Sequence, residues 1–339
     1  MGLQGAFASI STLVSVNAAF GGKPQDYAYR VGVGRSATQG ATAVAGVRAT
    51  ASAPRQTTNE KLGFIGGTGN MGSAIIRGLI ETQAVSPSDI LSSGRDREKL
   101  DRLSAETGCT VAADLATLCA EASTLFLCVK PAQCEAVLDS VAAITGEALE
   151  TKRVISVAAG VPIATLERYL RRQRPEARHA RVLRCMPNIL VRFGHGVTGI
   201  TPGNFASAED VAWTERLLGH LGVAAVVDEH LLDAVVAAAG SAPAFVFMFM
   251  EALTDAAVRE GLPRQVARTF VVQTMSGAAQ MAAREAKTHL GELRNRVESP
   301  GGTTIAGSCA LEESGFRRAV MAAAAAAAAR SRSLGTHYT

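Results

Sequence analysis

A glycine-rich segment between an apolar run and a helical pattern constrains the fold of this chain most. Residues 62–65 are apolar and predict a buried strand, and helical periodicity then continues as far as Ile80. The segment between them is Gly66-Gly67-Thr68-Gly69-Asn70-Met71-Gly72. Gly67, Gly69 and Gly72 satisfy GxGxxG, in which glycine permits a tight turn, close approach of backbone amides to a pyrophosphate, and helix–strand packing. We predict a dinucleotide site over residues 67–72, the alternative being a purely structural glycine turn.

Short apolar runs then alternate with helical stretches. The predicted strands are residues 62–65, 90–93, 124–129, 154–158 and 181–185. Strands that alternate with helices indicate a parallel, doubly wound sheet of Rossmann type. Two further runs, residues 196–200 and 223–227, could extend the edge of this sheet. We place the dinucleotide-binding domain at residues 59–228.

The remaining part of the chain, residues 229–339, is predicted to be all helical. The predicted helices are residues 229–239, 243–260, 263–284 and 316–333. A helix that is apolar all round must be covered on all sides, so a subunit partner is expected, although poly-alanine such as residues 322–329 also has high intrinsic helix propensity. The uncharged run 234–250 is shorter than the roughly 20 residues of a membrane span. It predicts two buried helices that meet at a break, and no membrane contact.

Residues 1–58 show no sustained period and are rich in alanine, glycine, serine and threonine. This composition fits either an organellar transit peptide or a disordered tail. The expected location is the cytoplasm as a soluble intracellular protein, with a mitochondrion or plastid as the alternative. The net charge is only +4, and part of it lies in this extension, so no nucleic-acid partner is indicated. The six cysteines form no CxxC pair, so no metal site is predicted.

The end of the second strand predicts the choice between NADPH and NADH. An acidic residue about 20 residues beyond the glycines usually holds the ribose 2′-hydroxyl of NAD. Gly94 stands at that distance, between Ser93 and Arg95. An arginine suits a 2′-phosphate by its charge and its fork geometry, so NADPH is the predicted coenzyme, with NADH as an alternative. Asp96 as a ribose ligand, and Arg95 and Arg97 as solvated surface charges, are the competing interpretations.

Four further segments carry a resemblance to a known family. They are Val129-Lys130-Pro131, residues 155–161 (ISVAAGV), residues 184–188 (RCMPN) and residues 299–307 (SPGGTTIAG). In their joint order and spacing they resemble the pyrroline-5-carboxylate reductase family. The resemblance covers about residues 61 to 335 and excludes the N-terminal extension.

The chain also departs from the family pattern. The glycine turn is one residue longer, so that Gly66 or Thr68 resembles an insertion. Residues 189–196 (ILVRFGHG) stand where the family usually has TPxxxGxG, and residues 240–245 (GSAPAF) stand for GSGPAY. Leu290 replaces the proline of the family's HP pair.

The resemblance implies an enzyme that reduces the C=N bond of 1-pyrroline-5-carboxylate to give L-proline. It also implies a homodimer, with rings of dimers as a larger assembly. The residues implied to contact the nicotinamide half of the coenzyme are Val129, Lys130, Pro131 and Asn188. The residues implied to bind the substrate are Asn188, Ser241, Ser299, Gly301, Gly302, Thr303 and Thr304, with Ser299 and Thr304 as the catalytic pair.

The chemistry of residues 299–304 is compatible with this site, and the resemblance is what favours the site over an ordinary helix cap. Proline and glycines before a helix can direct successive N–H groups into one concavity that attracts a carboxylate. An ordinary capped helix after a glycine turn is the alternative. Two other functions remain open on the sequence: an NADP-dependent oxidoreductase of hydroxyacid-dehydrogenase type, and a non-catalytic NADPH-binding regulator.

Overall fold

A ten-stranded sheet organises the first part of the molecule. The computed structural model describes residues 28–30, 48–50, 60–172 and 180–338. The strands are β1 (Ala28–Arg30), β2 (Arg48–Thr50), β3 (Leu62–Ile65), β4 (Ile90–Ser93), β5 (Thr110–Val111), β6 (Thr124–Leu127), β7 (Arg153–Ser156), β8 (Arg181–Pro187), β9 (Gly196–Pro202) and β10 (Gly222–Val226). Their spatial order is β2-β1-β10-β9-β8-β7-β6-β3-β4-β5, with antiparallel pairing only at β8–β9 and β1–β2 among the described strands.

Helices cover both faces of this sheet. They are α1 (Asn70–Glu81), α2 (Arg97–Thr107), α3 (Leu115–Glu121), α4 (Cys134–Thr145), α5 (Ile163–Arg172) and α6 (Ala208–Gly219). Because side chains alternate along a strand, Phe64 and Phe126 point to the face that carries α1, α2 and α6, and their rings stack with centroids 4.5 Å apart. Leu125 and Leu127 point to the other face, against α3, α4 and α5. Both faces are therefore dry cores, as a parallel sheet requires.

The predicted doubly wound α/β class is confirmed, with differences in detail. Strands β3 and β4 have the predicted bounds, whereas β6 ends at Leu127, two residues earlier than predicted, before the turn that contains Pro131. Strands β9 and β10 do extend the edge, but β9 reverses direction because only a short 3-10 turn (Ile189–Phe193) joins it to β8. A parallel connection needs a dozen or more residues.

The second part is helical in the described residues, as predicted. Its helices are α7 (Leu232–Val235), α8 (Ala242–Arg259), α9 (Arg264–Arg284), α10 (Leu290–Asn295), α11 (Thr303–Glu313) and α12 (Phe316–Gly335), with a π turn (Val236–Gly240) between α7 and α8. The predicted break is present, since Ser241 lies between the π turn and α8 and belongs to neither. The predicted burial is wrong within one chain: the segment Glu229–Arg259 is long and apolar enough to cross a membrane by length and composition, and only 6% of its most apolar window is buried.

The break between the π turn and α8 has a local cause. Pro243 lies in the first turn of α8, where its missing N–H leaves no hydrogen bond unmade, and the π turn absorbs the irregularity before it.

The exposed apolar side chains of this stretch include Phe247 and Met248, at 58% and 67% exposure. An exposed apolar surface of this kind indicates an interaction site rather than a surface that stays in contact with solvent.

The two parts touch through the ends of the helical region. Glu229 accepts hydrogen bonds from the Ile163 backbone N–H and from the Arg184 guanidinium, each at 2.8 Å. The far end of α12 returns to α5, where the Thr165 hydroxyl donates to the Tyr338 carbonyl at 2.6 Å. Of the N-terminal extension, β1 and β2 lie at the edge of the sheet beside β10. The rest of residues 1–58 lies outside the described residues, so its targeting or disordered role stays a prediction.

Candidate coenzyme and substrate site

The glycine segment forms a tight turn between β3 and α1. The backbone N–H groups of Gly66 and Gly67 both donate to the Ser93 carbonyl oxygen, at 2.9 and 3.1 Å, which joins the turn to the end of β4. Helix α1 begins at Asn70 with Gly69 as its N-cap, and no side chain caps it. The N–H groups of its first turn therefore remain available to a phosphate at the positive end of the helix.

Close packing explains why this turn needs glycine. A Cβ at Gly67 would lie 2.3 Å from the Ser92 hydroxyl oxygen, and one at Gly72 would lie 2.9 Å from the Gly67 Cα. Gly66 has a φ of +82°, and a Cβ there would lie 2.9 Å from the Cys128 carbonyl oxygen. Sequence reasoning left Gly66 out of the site as an insertion. Its position directly after the strand, where the first glycine of such turns belongs, was the signal that could have included it.

The charged residues near Ser93 differ in whether they form an ion pair with another described residue. Asp96 caps α2 by accepting from the Lys99 backbone N–H at 3.1 Å and also pairs with the Lys99 ammonium. These hydrogen bonds lower the pKa of Asp96 and keep it turned toward its own helix. Arg97 pairs with Asp101 at 3.0 Å. Arg95 is exposed, and no carboxylate oxygen of the described residues lies within 4.0 Å of its guanidinium.

Val129, Lys130 and Pro131 follow β6 on the other side of the glycine turn. Strand β6 pairs with β3, and the Cys128 N–H donates to the Ile65 carbonyl oxygen at 2.8 Å. The segment then enters a short 3-10 turn, Pro131–Gln133. Burial raises the pKa of the neighbouring Cys128 thiol to about 12, so this cysteine stays protonated and apolar in character. The VKP segment and residues 66–72 thus follow two paired strands at the same carboxyl edge of the sheet.

Asn188 lies at the junction of the two parts and is 4% exposed. Its amide oxygen accepts from the backbone N–H groups of Leu190 and Val197, each at 3.2 Å. Its amide nitrogen donates to the Ala239 carbonyl oxygen in the π turn, at 3.1 Å. Among the described residues, these three bonds use both acceptor sites of the amide and one of its two donor hydrogens. Ser241 follows directly after this π turn and is half-buried.

Residues 299–302 form the loop that leads into α11, and Thr303 and Thr304 lie in its first turn. Gly301 has a φ of +68°, and the Gly302 N–H donates to the Ser299 carbonyl oxygen at 3.0 Å. Helix α11 begins at Thr303 after Gly302, and no side chain caps it. The Ser299 and Thr304 side chains are exposed in the single chain. The start of α11 therefore offers free N–H groups and two nearby hydroxyls, which is the donor set that a carboxylate accepts.

The comparison with known proteins decides the family. A pyrroline-5-carboxylate reductase from Methanosarcina acetivorans is 42% identical over 277 residues, which cover 82% of this chain and 98% of that protein. The chain belongs to the pyrroline-5-carboxylate reductase family. A pyrroline-5-carboxylate reductase from Escherichia coli is 38% identical over 275 residues, 81% of this chain and 98% of that protein. The family resemblance predicted from the sequence is confirmed.

Two family models match separate parts of the chain. One described as pyrroline-5-carboxylate reductase dimerisation matches residues 229–334, and one described as NADP oxidoreductase coenzyme F420-dependent matches residues 61–160. The chain is thus an NADP-dependent oxidoreductase with a dimerising helical region. The exposed apolar surface of Glu229–Arg259 lies in that region.

Solved structures of the family have the same fold. A pyrroline-5-carboxylate reductase from Coxiella burnetii is 31% identical, with a TM-score of 0.73 over 82% of this chain and 99% of that one. A pyrroline carboxylate reductase from Plasmodium falciparum, solved with NADP bound, is 26% identical, with a TM-score of 0.72 over 83% of this chain and all of that one. The predicted coenzyme class is confirmed for this family member.

Proposed function

We propose that this chain reduces the C=N bond of 1-pyrroline-5-carboxylate with NADPH and releases L-proline. The observation that carries the proposal is that two helices in the segments that resemble the family begin after a glycine N-cap, which has no side chain to cap them. One, at α1, follows the glycine turn, and the other, at α11, follows residues 299–302. Each can bind an anion, the first a pyrophosphate and the second the carboxylate of the substrate.

The residues present fit the coenzyme. A Cβ on Gly67 would collide with the Ser92 hydroxyl and one on Gly72 with the Gly67 Cα, so only glycine lets this dinucleotide-binding turn pack so closely. The proposed coenzyme-binding residues are Gly66, Gly67, Thr68, Gly69, Asn70, Met71, Gly72, Ser93, Arg95, Val129, Lys130, Pro131 and Asn188. NADPH, when bound, supplies the hydride, and the residues of the chain supply binding and orientation.

Residues 299–304 are proposed to hold the substrate. The N–H groups at the start of α11 and the hydroxyl of Ser299 receive the carboxylate, with Gly301 and Gly302 allowing its close approach. The Thr304 hydroxyl holds the proton on the ring nitrogen during hydride transfer. An imine of moderate basicity arrives protonated, so the chain needs to fix this proton rather than to generate it. Fixing donor and acceptor in one geometry can contribute much of the acceleration.

Assembly completes the proposed site. Ser299 and Thr304 are exposed within one chain, and they belong to the dimerisation region. We infer that a second subunit encloses the substrate against these residues and excludes water from it. We also propose that the dimers assemble into rings, and that the chain divides into an extension, a coenzyme domain and a helical domain at residues 1–58, 59–228 and 229–339. The proposed location is the cytoplasm, as a soluble protein, and targeting to an organelle by the extension is the alternative.

A coupled assay tests this function. The purified protein should oxidise NADPH only when pyrroline-5-carboxylate is present, with one proline formed for each NADPH consumed. The matched control is Gly72→Val, which should abolish coenzyme binding because its Cβ would lie 2.9 Å from the Gly67 Cα. Reduction of a 2-oxo acid instead of the imine would favour the hydroxyacid-dehydrogenase alternative, and coenzyme binding without any turnover would favour the regulator.

A further inference from the structure

Arg95 has a neutral partner on a different element, the side chain of Gln133. The Gln133 amide has two orientations: with its oxygen toward Arg95 it accepts from both terminal nitrogens of the guanidinium, at 3.0 and 3.1 Å, and in the opposite orientation the oxygen accepts from the Lys130 backbone N–H at 3.3 Å. A bidentate arrangement of this kind fixes the plane of the guanidinium as well as its position. Gln133 belongs to none of the segments that resemble the family.

The topology places this contact across the coenzyme crevice. Strand β3 lies between β4 and β6 in the sheet. Arg95 follows the end of β4, Gln133 ends the turn after β6, and the glycine turn follows β3. Two strand spacings, about 10 Å, separate β4 from β6, so the contact spans the carboxyl end of β3. It therefore lies over the glycine turn where the dinucleotide binds.

The chemistry of the partner leaves Arg95 able to bind an anion. A guanidinium has five N–H donors, and the amide oxygen occupies two of them. The amide is uncharged, so it orients Arg95 without cancelling its charge. The neighbouring cations are in a different situation, since Lys99 and Arg97 are each paired with a carboxylate.

We propose that Gln133 is a positioning residue that holds the Arg95 guanidinium over the glycine turn, ready for the 2′-phosphate of NADPH. This inference rests on the proposed use of NADPH by this site. Gln133 thereby contributes to the choice between NADPH and NADH without contacting the reacting atoms. Without Gln133, the Arg95 side chain loses its conformational freedom only when the coenzyme binds. The entropic cost of that ordering reduces the affinity for NADPH and leaves the affinity for NADH unchanged, because NADH has no 2′-phosphate.

Coenzyme binding measured without substrate tests the proposal. The full-length protein is titrated with NADPH and with NADH, and nicotinamide fluorescence reports each dissociation constant. In Gln133→Met, which keeps the length of the side chain and removes its polar atoms, the NADPH dissociation constant should rise about three- to tenfold. The NADH constant should stay within about twofold of wild type. Gln133→Glu holds Arg95 but cancels its charge, so it should lower the NADPH-to-NADH preference by about tenfold or more.

A double-mutant cycle separates positioning from a general structural role. In an Arg95→Met background, Gln133→Met should change the NADPH dissociation constant by less than about twofold, because the residue it positions is gone. Equal losses for both coenzymes, a full effect of Gln133→Met without Arg95, or tighter NADPH binding in Gln133→Met would each overturn the proposal. Because no imine is present, failure of the proposed reduction would leave this result interpretable.

Discussion

Replacement of Asn188 by aspartate tests the joint between the coenzyme domain and the helical domain. The carboxylate is nearly isosteric with the amide and keeps an oxygen for the N–H groups of Leu190 and Val197. Its second oxygen, however, takes the place of the amide nitrogen that now donates to the Ala239 carbonyl at 3.1 Å. Two acceptors then face each other at a site that is 4% exposed.

The expected cost follows from this geometry. The variant loses one hydrogen bond and leaves a buried charge without a full set of donors, which together cost about 3–5 kcal/mol. For a domain of this size, about 1 kcal/mol corresponds to roughly 2–4 °C in Tm, so Asn188→Asp should lower Tm by roughly 10 °C. Asn295→Asp, an exposed change in α10, should shift stability by less than about 0.5 kcal/mol and serves as the control.

The penalty should depend on pH in a defined direction. Burial and the facing carbonyl raise the pKa of the introduced carboxyl in the folded state above its unfolded value. Its protonated form can donate to the Ala239 carbonyl, so the stability gap to wild type should narrow as pH falls through the raised pKa and be full above it. Thermal unfolding of both proteins across mildly acidic to neutral pH measures this gap. A variant as stable as wild type at neutral pH would refute the assignment of Asn188 to the joint.

Three further predictions concern the coenzyme, the substrate and the extension. Arg95→Ala should weaken NADPH far more than NADH in binding titrations, whereas Arg97→Ala should change neither by more than about twofold; equal losses in Arg95→Ala would contradict the 2′-phosphate assignment. Thr304→Val and Ser299→Ala should each lower kcat/KM for pyrroline-5-carboxylate about tenfold or more, since a hydrogen bond to a charged group is worth about 1.5–3 kcal/mol, with NADPH binding unchanged. Wild-type kinetics in both folded variants would remove residues 299–304 from the site. A chain without residues 1–58 should retain kcat and KM within about twofold, and a folded but inactive product would give the extension another role.

The glycine turn shows how far local sequence determines local structure. Strand β3, the turn and α1 were predictable because each has its own signal: an apolar run, glycines at fixed spacing and a 3.6-residue period. The role of Gly66 was not predicted, because GxGxxG is satisfied without it, and only the φ of +82° and the nearby Cys128 carbonyl reveal it. The backbone conformation of a single residue also depends on its neighbours in space, which the GxGxxG pattern does not contain.

Long-range contacts account for most of what the sequence did not predict. The reversal of β9 depends on the length of the turn after β8, and the bonding of Asn188 depends on the π turn fifty residues later. The burial predicted for residues 234–250 is wrong within one chain, because this apolar segment is largely unburied there and belongs to a dimerisation region. An apolar composition indicates that a surface must be buried, but it does not indicate whether the same chain or a second subunit buries it.

Isotope transfer tests the central claim, hydride delivery from NADPH to the imine carbon, most directly. The protein is incubated with pyrroline-5-carboxylate and with NADPH that carries deuterium at the reactive nicotinamide carbon, and the product is analysed by mass spectrometry and NMR. We predict proline with a single deuterium on the carbon of the former C=N bond, formed in one-to-one ratio with NADP. Proline without deuterium, or consumption of the coenzyme without proline, would contradict the account.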